Sequence, residues 1–112
     1  MIDRRLTPPC TAAWSMAAVA LLWTGARAAD SVQIQVRNFM FTPSTLTVSA
    51  GAQVTWVNKD DEPHTVVSDS GMFRSGAMDT NDGFSFKFGK PGTYHFTCSI
   101  HPYMAGTIIV VQ

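Results

Sequence analysis

Thiols are scarce in this chain of 112 residues, which has two cysteines, Cys10 and Cys98. Two cannot staple a disulfide-rich scaffold, nor can they supply the several thiolates of an iron–sulfur cluster. The Cys-x-x-Cys-His run that attaches a c-type haem is absent. So is any His-x-His pair of the kind that gathers several metal ions. Charge is sparse too, at 14% of residues. From Ala29 onward five Lys or Arg stand against seven Asp or Glu, a net charge of about −2. No basic face can neutralise several phosphates, which argues against nucleic-acid binding. The apolar stretch from Ala12 to Trp23 falls short of the roughly 18 residues of a membrane span, so no stable membrane anchor is expected.

What precedes and follows that stretch gives it a different meaning. Arg4 and Arg5 make a positive start, and Ala26-Arg27-Ala28 is a small-residue cleavage site. Together the three parts predict a secretory signal over residues 1–28, removed on export to the periplasm by the general secretory route. Taking 28 from 112 leaves 84 residues, 29–112, enough for one small domain. Cys10 goes with the signal, leaving Cys98 as the one thiol of the mature chain. In an oxidising compartment an unpaired thiol is a hazard unless something occupies it.

The surroundings of Cys98 say what occupies it. The run Cys98-Ser99-Ile100-His101-Pro102-Tyr103-Met104 places a thiolate, an imidazole and a thioether on one short loop, and a second imidazole stands upstream in Pro63-His64-Thr65. Cys98 is expected to end a strand, His101 to return to the same point through a tight turn, and Met104 to reach it from the axial direction. Pro102 stiffens the loop by fixing its own backbone and restricting His101. Two imidazoles and a thiolate in a plane with a long, weak axial thioether suit a blue-copper ion. Zinc prefers a fourth strong ligand in place of the thioether.

These residues, with Phe41-Thr42-Pro43, Val48-Ser49-Ala50-Gly51, Trp56-Val57-Asn58 and Gly92-Thr93-Tyr94, resemble the cupredoxins, and among them the amicyanins, whose ligand loop has two residues between His and Met. The resemblance runs from about Val32 to Val111. It implies one Cu(II)/Cu(I) ion, held by His64, Cys98 and His101 in the equatorial plane and by Met104 axially. It implies single-electron transfer between redox proteins rather than catalysis, with a copper chaperone or store of the same fold as the alternative. Thr65 departs from the family pattern, where Asn commonly follows the first His. A backbone N–H at that position is expected to hold the Cys98 sulfur.

The remaining pattern is period two, the sign of half-buried strands. Val32, Ile34 and Val36 alternate with polar neighbours, as do Leu46 and Val48, Val54 and Trp56, Phe84, Phe86 and Phe88, Tyr94 and Phe96, and Ile108 and Val110. Val66, leading out of His64, starts another run. Ala50-Gly51, Asn81-Asp82-Gly83 and Gly89-Lys90-Pro91-Gly92 supply turn chemistry. The expectation is an all-β, Greek-key β-sandwich of about seven or eight strands, with residues 70–82 a loop that holds at most a short strand. His95 falls on the opposite face from Cys98 and is expected to meet solvent. Asp60-Asp61-Glu62 reads as a solvated turn that could steer a partner, and Met40, Met72 and Met78 as loop or core residues. The domain is expected to be a monomer that meets its electron donor and acceptor at His101, Pro102 and Tyr103, with Pro63 beside them.

Overall fold

The computed structural model describes residues 31–112. The expected signal over residues 1–28, with Cys10 and the cleavage site before Ala29, lies outside the described residues.

Among the described residues there are eight strands: β1 (Ser31–Arg37), β2 (Met40–Thr42), β3 (Thr45–Ser49), β4 (Ala52–Asn58), β5 (Val67–Ser68), β6 (Gly83–Phe88), β7 (Gly92–Thr97) and β8 (Ala105–Val111). They form two four-stranded sheets in the orders β2-β1-β4-β6 and β3-β8-β7-β5. Each sheet is mixed, because β1 runs parallel to β4 and β3 parallel to β8, while the other pairings are antiparallel.

Period two works here as a sorting rule. Ile34, Val36, Val54, Trp56 and Phe88 of the first sheet turn inward against Val48, Phe96, Ile108 and Val110 of the second, and all are buried. Removing each such side chain from water contributes roughly 1.5–3 kcal/mol. Trp56 is the centre of this layer. Its ring lies 5.3 Å from Phe96 and 5.6 Å from Phe73, centroid to centroid, with Phe84 and Phe88 also against it. Its Nε1–H is the one buried side-chain nitrogen or oxygen among the described residues without a hydrogen-bond partner. At Gly106, on β8, the ring of its cross-strand partner Phe96 on β7 lies over the backbone and requires glycine: a Cβ there would stand 2.3 Å from that ring.

The stretch from residue 70 to 82 is a loop held by two isolated bridges, His64 with Met78 and Val67 with Arg74. It nevertheless lays Phe73 and Met78 into the core. Two details differ from the sequence pattern. β2 is too short to show a period, and it forms only because the two-residue turn Asn38-Phe39 folds it back on β1, with Arg37 opposite Met40. β7 ends at Thr97, one residue before Cys98: the Cys98 N–H still donates in register to the Met104 carbonyl at 3.1 Å, but the Met104 N–H turns away to the His101 carbonyl and the ladder stops there.

Candidate metal centre

One end of the sandwich carries the loops after β4 and after β7. The second of these is closed by two backbone bonds: Cys98 N–H to the Met104 carbonyl, and Met104 N–H to the His101 carbonyl at 2.9 Å. The loop that Pro102 stiffens is therefore folded back on itself, with Cys98 and Met104 buried, His101 half-buried, and Pro102 and Tyr103 exposed.

His64 arrives from the other loop. Asn58, fully buried at the end of β4, donates from Nδ2 to the carbonyls of Glu62 and Met78, both at 2.8 Å, and its Oδ1 accepts the Asp60 N–H at 2.9 Å. This one amide side chain shapes the turn that leads to His64, whose own backbone exchanges two hydrogen bonds with Met78. The His64 side chain is 0% exposed.

The two loops bring His64, Cys98 and His101 together, with one ligand atom from each lying within 4.8 Å of the others. Nδ1 of His64 and Nδ1 of His101 are each 3.9 Å from Cys98 Sγ. Met104 is buried under the same loop. Two imidazole nitrogens and one sulfur converging on one point, with a thioether in the same loop, is a donor set matched to copper.

Thr65 joins the loops to each other. Its N–H points at Cys98 Sγ from 3.3 Å, the expected backbone donor, and its hydroxyl lies 3.7 Å from the same sulfur. That hydroxyl also accepts the Ser99 N–H at 2.8 Å and pairs with the Ser99 hydroxyl at 2.7 Å. Threonine thus ties the two loops together where the family often places an amide.

Asp60 departs from the expectation of a solvated turn residue. Its side chain is only 13% exposed. One carboxylate oxygen accepts the Asn38 N–H at 2.7 Å; the other accepts the Phe39 N–H at 2.9 Å and lies 2.9 Å from His64 Nε2. Burial raises its pKa, but the hydrogen bonds from Phe39, Asn38 and His64 outweigh that and hold it below the ordinary carboxylate value. A carboxylate can only accept, so the neutral His64 ring carries its hydrogen on Nε2 and turns the Nδ1 lone pair toward Cys98. Asp61 and Glu62 do face solvent, as expected of the triplet.

Phe39 carries no sequence signal as a site residue, yet its ring meets both imidazoles edge-on, at centroid distances of 5.2 Å to His64 and 5.0 Å to His101. His95 is exposed and bonded to Thr107 through Nδ1 at 3.0 Å, away from the cluster as the alternation predicts. Of the other methionines, Met78 is core, while Met40 and Met72 are exposed.

Comparison with known proteins gives the same answer as the geometry. The profile of the cupredoxin-like domain family matches residues 10–110. Amicyanin-alpha of Methylorubrum extorquens is 32% identical over 87 residues, 73% of either chain. Among solved structures, an amicyanin variant in its Cu(I) form superposes with a TM-score of 0.69 at 27% identity, over 77% of this chain and 88% of that one. The copper-containing nitrite reductase NirK of Thermus scotoductus also gives 0.69, at 29% identity, over 73% of this chain but only 22% of that much longer one. A two-sheet sandwich, a buried His-Cys-His cluster suited to one copper ion and this set of relatives make the chain a member of the cupredoxin family, of amicyanin-like kind.

Proposed function

We propose that the mature protein is a periplasmic one-electron carrier with a single copper held by His64, Cys98 and His101 in the equatorial plane and Met104 on the axis. The observation that carries this reading is the closure of the site: His64 and Cys98 are 0% exposed and Met104 is 2% exposed. With Met104 in the axial place such a site would keep no open coordination position for a substrate, which favours a carrier over an enzyme centre, even though a unit of this fold occurs within a nitrite reductase. Copper supplies the cycle between Cu(II) and Cu(I). The protein keeps water out, holds the sulfur by the Thr65 N–H, and leaves the half-buried His101 as the ligand nearest solvent.

Electrons are expected to pass at His101, with Pro102, the exposed Tyr103 and Pro63 forming an apolar surface for brief contact with redox partners. The protein would work as a monomer, after export and removal of residues 1–28. The alternative, a copper chaperone or store, requires an open site with clustered thioethers. Met78 lies in the core, and the exposed Met72 stands on the β5–β6 loop. Met40 alone lines the surface cleft beside Met104.

A visible spectrum of the copper-loaded protein tests the reading. An intense thiolate-to-Cu(II) band that vanishes in Cys98→Ser, with the β fold retained, is the expected result; a colourless protein that surrenders Cu(I) quickly to an acceptor protein points to the chaperone. Mass spectrometry of periplasmic protein should find a chain starting at Ala29, and an intact chain in the membrane fraction would refute the export proposal.

A further inference from the structure

The turn between β1 and β2 contributes no ligand, yet it is the third segment of chain packed around the two imidazoles. Asn38 and Phe39 are consecutive non-glycine residues in the left-handed region, at φ 52° and 58°. A two-residue hairpin of this kind favours Asn-Gly, and a bulky aromatic in the second place is disfavoured. The conformation is held from outside, by Asp60, 22 residues after Asn38, whose carboxylate takes one amide hydrogen on each oxygen. The oxygen that takes the Phe39 amide also faces His64 Nε2. One carboxylate therefore fixes both the turn and the first imidazole. With the turn so fixed, the Phe39 ring stands edge-on to His64 and His101 at once, while those two rings lie 5.0 Å apart. Each imidazole thus packs against Phe39 and against the other imidazole, and every contact is made by protein alone.

We propose that Asp60 and Phe39 are positioning residues forming a clamp that keeps His64 and His101 in their metal-binding orientation before copper arrives, and that opening of this turn governs how fast copper leaves. A ligand set that hardly moves between the copper-free and copper-loaded forms also hardly moves between oxidation states, so the clamp serves one-electron exchange.

The test separates ring, backbone and carboxylate. Phe39→Gly suits the left-handed backbone and removes only the ring; Phe39→Tyr keeps the ring; Asp60→Asn leaves one of the three donors facing an amide NH2. In NMR spectra of the copper-free protein, the wild-type His64 Nε2–H should be visible and slow to exchange, while the exposed His95 ring, bonded only through Nδ1 to Thr107, serves as internal reference for an imidazole whose Nε2 meets solvent. Phe39→Gly should release the His101 ring to rotamer averaging with core amide signals unchanged, and should speed copper loss to excess chelator about tenfold or more. Phe39→Tyr should restore the wild-type rate, and Asp60→Asn should act in the same direction as Phe39→Gly. Wild-type copper-free His64 and His101 rings that already average among rotamers, or Phe39→Gly releasing copper within about twofold of wild type, would overturn the clamp. Failure of the wild-type chain to take up copper would overturn the copper reading instead, with the copper-free ring measurements still deciding the clamp.

Discussion

Thr65 shows how a single side chain can divide its work between stability and metal chemistry. Its N–H meets the Cys98 sulfur, and its hydroxyl holds Ser99. Thr65→Val keeps the shape and the N–H but leaves the Ser99 N–H without its acceptor. Denaturant melts of the copper-free protein should show a loss of about 1–2 kcal/mol, while the thiolate-to-Cu(II) band of the loaded protein persists. Met104 divides differently. In the proposed geometry its bond to copper is long and weak, so Met104→Gln should retain the metal and lower the reduction potential, because an oxygen donor favours Cu(II) over Cu(I). Voltammetry on the two proteins gives the comparison directly, and a variant that cannot hold copper at all would make Met104 a structural residue instead.

Among the elements, β8 and β7 meet with no room to spare at Gly106. Gly106→Ala would drive a Cβ into the buried Phe96 ring, which cannot retreat because Trp56 and Phe41 pack against it. A destabilisation of about 1–3 kcal/mol is expected from overpacking, measurable as a lower melting temperature. Six of the eight strands were legible as alternation, because a strand with one face in a core must alternate, and the two-residue β5 was marked only by the run expected to start at Val66. β2 was not, because three residues carry no period and its pairing depends on a turn whose second residue, Phe39, is a poor turn former. The convergence of His64, Cys98 and His101 was legible from residue type and spacing. The roles of Asp60 and Phe39 were not, since a carboxylate beside two other acids reads as solvated surface, and only tertiary contact brings the β1–β2 turn against His64.

At the scale of the whole molecule, the metal site bridges the two sheets: His64 follows β4 of one, and Cys98 follows β7 of the other. Copper bound there adds stability by mass action, because the unfolded chain does not bring these residues together. Removing it should lower the melting temperature while the circular dichroism of the β fold persists. The outer surface has its own test. Tyr103 is 73% exposed, and Tyr103→Glu should slow electron exchange with redox partners about tenfold or more through a desolvation cost of about 1.4 kcal/mol or above, leaving spectrum and copper content intact. An unchanged rate would place docking elsewhere.

Closed packing around Cys98 has one last consequence, for chemistry in time rather than in space. The thiol is wholly buried and free, so an alkylating reagent or an oxidant can meet it in the copper-free protein only when the 98–104 loop lifts away from Thr65. Its modification rate then counts those openings. In the periplasm proposed above, a protein waiting for its metal would thereby be protected from disulfide-linked dimers for as long as the loop stays shut, and the half-life of that thiol would measure how long the protein can wait.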